Sequence, residues 1–129
     1  MMRIRLNSVL VGDQEKALRF YTDILGFQKK MDLPVGEFRW LTVVSPDEPE
    51  AAELVLEPNA FPAAAEFQVA LYEAGIPMTA FQVDDIHHDF KHLTALGVEF
   101  RGEPTDAGGV AQAVFDDTCG NLIQLYQPA

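Results

Sequence analysis

Apolar residues recur along this chain in two rhythms. Leu6-Asn7-Ser8-Val9-Leu10-Val11 is a β-rich run ended by Gly12-Asp13, and over residues 14–25 the residues Ala17, Leu18, Tyr21, Ile24 and Leu25 fall at helical spacing. Asp13 is placed to cap that helix, Glu15 adds an acid to its first turn, and Gly26 is the expected left-handed stop. Strands are predicted over 27–31, 39–44 and 53–57, separated by Leu33-Pro34-Val35-Gly36 and by the acidic loop Ser45-Pro46-Asp47-Glu48-Pro49-Glu50. The first half reads β-α-β-β-β.

Residues 62–74, with Pro62 at the start and Gly75 just beyond the end, have the asymmetry of a connecting helix. The first pattern then returns: a strand over 78–83, Asp84-Asp85 capping a helix over 86–96, Gly97 as its stop, and strands over 98–101, 110–116 and 122–126. Val11-Gly12-Asp13 matches Val83-Asp84-Asp85, and Leu25-Gly26-Phe27 matches Leu96-Gly97-Val98, at an offset of about 70 positions each time. A duplicated module explains this better than chance. The chain is expected to be a single domain of two modules, 1–58 and 77–129, joined by residues 59–76, because no flexible linker separates them.

Composition limits the partners. With 9 Lys+Arg against 20 Asp+Glu, the formal charge is -11, and such a surface repels both nucleic acid and anionic membrane. The 48% hydrophobic content places that charge on a folded body rather than on a disordered acidic tail. The segment Met1-Met2-Arg3-Ile4-Arg5-Leu6-Asn7 lacks an apolar stretch of signal-peptide length, and charges break every later apolar run, so a cytoplasmic location is expected. Cys119 is the one cysteine and reads as a structural thiol in a turn.

Val11-Gly12-Asp13, then Ala17-Leu18-Arg19-Phe20-Tyr21 and Ile24-Leu25-Gly26-Phe27, resemble the opening of the vicinal oxygen chelate superfamily, which includes glyoxalase I, bleomycin-resistance proteins, fosfomycin-resistance enzymes and extradiol dioxygenases. The closing run from Phe115 through Asp116-Asp117-Thr118-Cys119-Gly120-Asn121 to Leu125 is similar to that superfamily's Asp-Pro-Asp-Gly-Asn turn and last strand, with Thr118 and Cys119 in place of the middle pair. The resemblance covers essentially the whole chain. It implies an α+β fold of two tandem βαβββ modules whose strands curl into a half-open barrel around a cavity, usually in a homodimer.

It also implies four positions where catalytic members hold a divalent metal through His, Glu or sometimes Gln: here these are Leu6, Glu57, Met78 and Gln124. Two of the four are apolar. Strand 4–11 has no His, Asp or Glu, and strand 78–83 offers only Gln82, so no shift of register restores a transition-metal site. No cofactor is expected; a weakly held divalent metal such as Mg²⁺, anchored by Glu57 with Gln124, is the alternative. Dioxygenase chemistry, which needs histidines on these strands, fits least.

Alternation along the strands gives the cavity an expected lining of Leu6, Ser8, Trp40, Glu57, Met78, Gln124 and Tyr126, mostly apolar with few polar fixings. The inward face of the third strand is left open by sequence. Trp40 has two readings, packing in a core or dimer interface and stacking on a ligand. Glu57, if buried, becomes a general base; otherwise it is a solvated carboxylate at a strand mouth. His88 and His92 share a helix face opposite Ile86, Phe90 and Leu93, and are expected to face water. No Gly-x-Ser-x-Gly nucleophile or phosphate loop is present. Two functions follow: sequestration of a small, preferably cationic organic ligand, as in the bleomycin-resistance branch, or a glyoxalase-like lyase or isomerase using Glu57.

Overall fold

The computed structural model describes residues 1–129. The chain divides into two compact units, Met1–Glu66 and Phe67–Ala129. The first holds β1 (Leu6–Val11), α1 (Gln14–Arg19), β2 (Gln28–Val35), β3 (Phe38–Val44) and β4 (Glu53–Pro58), in a sheet of order β1-β4-β3-β2. After α2 (Pro62–Glu73), the second holds β5 (Thr79–Gln82), α3 (Ile86–Ala95), β6 (Thr105–Ala107), β7 (Val110–Asp116) and β8 (Leu122–Gln127), in the order β5-β8-β7-β6. In each unit the first strand pairs in parallel with the last, and the other pairings are antiparallel. The module pattern predicted from sequence is therefore realised as two open four-stranded sheets, neither closed into a barrel.

Each sheet packs one face against its own helix, and the period-2 alternation decides which side chains that face takes. In β1 the side chains of Val9 and Val11 are buried while Leu6 and Ser8 are exposed, so the Val9 face joins Leu41, Val43 and Leu56 in the core. α1 packs on β3 and β4, and Ala17 and Tyr21 complete this core. In the second unit Ala113, Phe115, Ile123 and Leu125 are buried beside Ile86 and Leu93 of α3, which packs on β7 and β8. Burial of a Val, Leu, Ile or Phe side chain contributes roughly 1.5–3 kcal/mol, and these two small cores hold the helices in place.

Local chemistry sets the ends. Asp13 caps α1 by accepting from the Lys16 N–H at 3.1 Å, and Asp85 caps α3 by accepting from the His88 N–H at 3.1 Å. The helix expected over 14–25 is α-helical only to Arg19; Phe20–Ile24 form a π-helical turn in which the Leu25 N–H reaches the Phe20 carbonyl. At the same turn the Thr22 hydroxyl donates to the Leu18 carbonyl at 2.7 Å, competing for the acceptor an α-helix would give to the Thr22 N–H.

Two boundaries differ from the sequence pattern. Leu33-Pro34-Val35-Gly36 is not a loop: β2 runs on to Val35, and Gly36, at φ +59°, turns directly into Phe38. Pro34 is tolerated because β2 is an edge strand. Conversely, the strand expected over 98–101 is reduced to a single bridge between Phe100 and Phe115. Gly102 and Pro104 interrupt it, and the edge is instead taken by β6, joined to β7 through Gly108 and Gly109 at φ +63° and +86°.

The turn between β7 and β8 is built on a buried carboxylate. Asp117 accepts from the Cys119 N–H at 2.8 Å, from the Asn121 N–H at 3.0 Å and from the Asn121 amide at 2.8 Å. Gln68 of α2, also buried, donates to the Cys119 carbonyl at 3.2 Å and to Asn121 Oδ1 at 3.0 Å. Cys119 itself is buried in this turn. Gly120 sits at φ +104°, and a Cβ there would lie 2.7 Å from Gln68 Nε2, whereas Gly26, at φ +86°, has open space around it. Gly120→Ala is therefore expected to cost about 3 kcal/mol by urea denaturation and Gly26→Ala about 1 kcal/mol; equal costs would contradict this account of the turn.

Candidate functional site

The buried faces are spent on helices, which leaves the opposite faces to carry any site. In the first unit Leu6 and Ser8 of β1, Trp40 of β3 and Glu57 of β4 lie on that one opposite face. The register settles the open question about β3: Leu33 pairs with Trp40 and Thr42 with Val55, so Trp40 and Thr42 lie on the face of Ser8 and Glu57, with Thr42 and Val55 themselves buried there. Its middle, at Thr42, Val44 and Val55, is buried, while the end formed by β2 and β3 is apolar and exposed, with Leu33 at 50%, Val35 at 60%, Phe38 at 37% and Trp40 at 36% of full exposure; Leu6, at 50%, lies at the other end beside Glu53.

Within the single chain Glu57 is exposed, and the Ser8 hydroxyl donates to its Oε1 at 3.3 Å. Burial in hydrocarbon, the condition for a general base at neutral pH, is therefore not supplied by this unit alone. What the arrangement offers is a carboxylate beside a hydroxyl and an indole on an apolar sheet.

The strands that present Trp40 and Glu57 diverge. Backbone pairing of β3 with β4 covers only Thr42 to Val44 against Val55 to Glu53. Beyond it, Gln14 fills the gap: its amide nitrogen donates to the Arg39 carbonyl at 2.7 Å and to the Leu56 carbonyl at 2.9 Å, and its oxygen accepts from the Arg39 N–H at 3.0 Å. One side chain thus satisfies three backbone groups that the splayed strands would leave unpaired. Arg39 is held on its own side by Asp32, at 3.0 Å and 2.8 Å in a two-pronged pair, and by Glu15 at 2.9 Å. The Arg39 guanidinium holds the Asp32 carboxyl down to about 2, and Asp32 together with Glu15 pushes the Arg39 pKa up.

In the second unit the open face carries Met78 just before β5, Ala80 and Gln82 of β5, Gln112 and Val114 of β7, and Gln124 and Tyr126 of β8. Gln124 donates to Gln112 Oε1 at 2.5 Å, and the Tyr126 hydroxyl lies 3.5 Å from Gln82 Oε1. At one end of this face Tyr72 of α2 donates to Asp116 at short range, which raises the Tyr72 pKa, and Arg101 stacks over the Tyr72 ring at 5.2 Å.

A metal does not fit the donors present. Each unit contributes at most one oxygen donor at the positions the resemblance singles out, Glu57 in the first and Gln124 in the second, beside apolar Leu6 and Met78. No three His, Cys, Asp or Glu side chains converge anywhere in the chain. His88 and His92 are exposed on α3 with their rings stacked in parallel, centroids 6.3 Å apart, as their spacing predicted. A polar depression of about 220 Å³ in the first unit, lined by Arg5, Lys30, Glu50, Ala51, Ala52 and Glu53, lies away from Trp40 and Glu57 in the sheet. Its cations are already engaged: Arg5 donates to the Glu50 carbonyl at 2.6 Å, and Lys30 lies 3.7 Å from both Glu50 and Glu53.

Three glutamines escaped the sequence pattern. Gln14 and Gln68 sit in helices, where periodicity marks apolar positions and gives no sign of which polar side chain will turn inward. Gln112 was accessible in principle, since alternation from Val110 to Asp116 sets it on one face with Val114.

Two β-α-β-β-β units in tandem, each closing its sheet with a parallel pair and covering one face with its own helix, define a paired-module α+β protein. The model of the Glyoxalase/Bleomycin resistance protein/Dioxygenase superfamily matches residues 4–125, and the chain belongs to that superfamily. It is 53% identical to the uncharacterized protein YurT of Bacillus subtilis (strain 168), over 98% of this chain and 99% of that one. Among crystal structures, UcmS2 is similar with TM-score 0.84 at 33% identity, covering 98% of each chain. TnmS3, an antibiotic binding protein from Streptomyces sp. CB03234, is similar with TM-score 0.79 at 32% identity, covering 100% of this chain and 98% of its own. No helix is long and apolar enough to cross a membrane.

The pinning of β3 beneath Trp40 is testable through pH. Because the folded Asp32 carboxyl is held at about 2, below its ordinary 3.8, its pairing with Arg39 contributes fully above pH 4 and is lost as pH falls through 2. Asp32→Asn is expected to cost about 1 kcal/mol at pH 7, with the urea stability curves of variant and wild type converging toward pH 2. Curves that stay parallel down to pH 2 would show that the pair does not carry this dependence.

Proposed function

We propose that this protein binds a small organic molecule in the cavity of a homodimer and sequesters it without turning it over. The observation that carries this reading is the set of exposed apolar side chains Leu33, Val35, Phe38 and Trp40 on the sheet face that also carries Glu53 and Glu57, with a donor set that does not suit a transition metal. An apolar surface with few polar fixings binds by area and shape, and an indole adds stacking on a flat ligand. The similarity to TnmS3, an antibiotic binding protein, supports the same class of ligand. The net charge of -11 favours neutral or cationic molecules over anions.

The enzymatic alternative, a lyase or isomerase using Glu57 with a weakly held metal, predicts different behaviour on metal addition. Protein stripped of metal would be titrated calorimetrically with Mg²⁺, Mn²⁺, Ni²⁺ and Zn²⁺, beside Glu57→Gln and the double variant His88→Ala/His92→Ala. The sequestering reading expects no tight one-per-chain uptake in the histidine variant. Tight uptake that survives in that variant and vanishes in Glu57→Gln would overturn the metal-free reading.

Trp40 is the only tryptophan, so its fluorescence reports on this face directly. Bleomycin and a set of planar aromatic cations are expected to quench it saturably, and sedimentation is expected to give a dimer. Trp40→Ala should weaken binding by about tenfold, read calorimetrically, or weaken the dimer. Unchanged affinity together with an unchanged dimer would remove Trp40 from both roles.

A further inference from the structure

The two open faces differ in chemistry. On the first unit the face combines apolar side chains with two carboxylates, Glu53 and Glu57, whereas on the second an uncharged polar row crosses the whole sheet. Gln82 of β5 pairs with Tyr126 of β8, Tyr126 with Gln112 of β7, and Gln112 with Thr105 of β6, and in this register all four side chains share the open face. Three strand spacings make this row about 14 Å long. The adjacent row, Ala80, Gln124 and Val114, adds one further amide, which leans across to bond Gln112 at 2.5 Å.

Such a row is not what the composition would place there by default. The chain has 20 acidic residues, and neither row carries one of them. The carboxylate next along β7, Asp116, is taken up by Tyr72. The two bonds within the set use one acceptor each on Gln82 and Gln112, which leaves both amide NH₂ groups as donors and Gln124 Oε1 as an acceptor. Gln112, Gln124 and Tyr126 are each part-buried, so their side chains are already partly ordered before any ligand arrives.

We infer that this row is the specificity element of the site and that it selects an elongated, uncharged ligand bearing several hydroxyl or carbonyl groups along one edge. The inference rests on the small-molecule reading above and adds the ligand's chemical class. Amide donors and acceptors in line match hydroxyl and carbonyl groups. An anionic edge would be repelled by the chain's net charge and would meet no cation in the row. A purely apolar edge would leave the amides desolvated and unpaired, and a site built to hydrogen-bond rejects the analogue that lacks the groups.

Three flavone probes of matched shape test this by calorimetry at pH 6.5: apigenin with three hydroxyls, unsubstituted flavone, and flavone-6-carboxylate. Apigenin is expected to bind at least about tenfold more tightly than flavone, and the carboxylate most weakly. Gln82→Leu/Gln112→Leu, changed at side chains outside either core, should abolish the preference, weakening apigenin and strengthening flavone until the two bind equally. Equal affinities for apigenin and flavone, preference for the carboxylate, binding of none of the three, or an apigenin preference that survives in the double variant would each overturn the inference. Saturable quenching of Trp40 by bleomycin or a planar cation in the same preparation would then show that the sequestering reading stands without it, and loss of that too would remove both.

Discussion

The arrangement turns on the parallel pairing of the first strand of each module with its last. Leu10 lies beside Glu57 in β1–β4, and Ala80 beside Gln124 in β5–β8. A parallel pair cannot be closed by a tight turn, so the helix and two strands between them must return across the sheet, and the helix takes one face for its own core. Every consequence for function follows from that: one face is filled by Tyr21 or by Ile86 and Leu93, and the other is left for something else. Because side chains alternate, fixing Val9 and Val11 inward fixes Leu6 and Ser8 outward, with no freedom to adjust residue by residue.

Amide side chains do much of the joining that backbone hydrogen bonds do not. Gln14 bridges the strands where β3 and β4 part, Gln68 ties α2 to the turn around Asp117, and Gln127 accepts from the Ile86 N–H at 2.8 Å at the start of α3. Glutamine suits these places because one planar group both donates and accepts without bringing a charge into a low-dielectric setting. The divergence that Gln14 sustains is what leaves Trp40 and Glu57 standing clear of a continuous ladder. Fold and site are thus coupled through a residue that touches no ligand position.

Charge is distributed with equal economy. The strongest ion pairing, Asp32 with Arg39, lies on the strand that presents Trp40 but on the opposite side of it, and most other carboxylates lie in loops or on helix surfaces. The open faces therefore carry little of the net charge: Glu53 and Glu57 on one, and on the other an uncharged amide row with Asp116 at its end, bonded by Tyr72. At the four positions the resemblance singles out, Glu57 and Gln124 are the oxygen donors, beside apolar Leu6 and Met78.

Much of this was legible in the residues. The duplicated β-α-β-β-β pattern, the caps at Asp13 and Asp85 and the solvated pair His88 and His92 all follow from residue type and short-range spacing, which act over a few residues and need no knowledge of the fold. Sequence misplaced the ends of β2 and the edge strand of the second sheet, because Pro34 and Gly102 read as breaks and only pairing partners decide whether an edge strand continues. It also left the orientation of β3 open, since alternation gives two faces without saying which is covered. Tertiary structure alone decided that, through the register of Trp40 with Leu33 and of Thr42 with Val55, and it alone aligned Gln82, Tyr126, Gln112 and Thr105, which lie far apart in the chain. Local chemistry determines elements; which side chains become neighbours across strands depends on hydrogen-bond registers formed between distant segments.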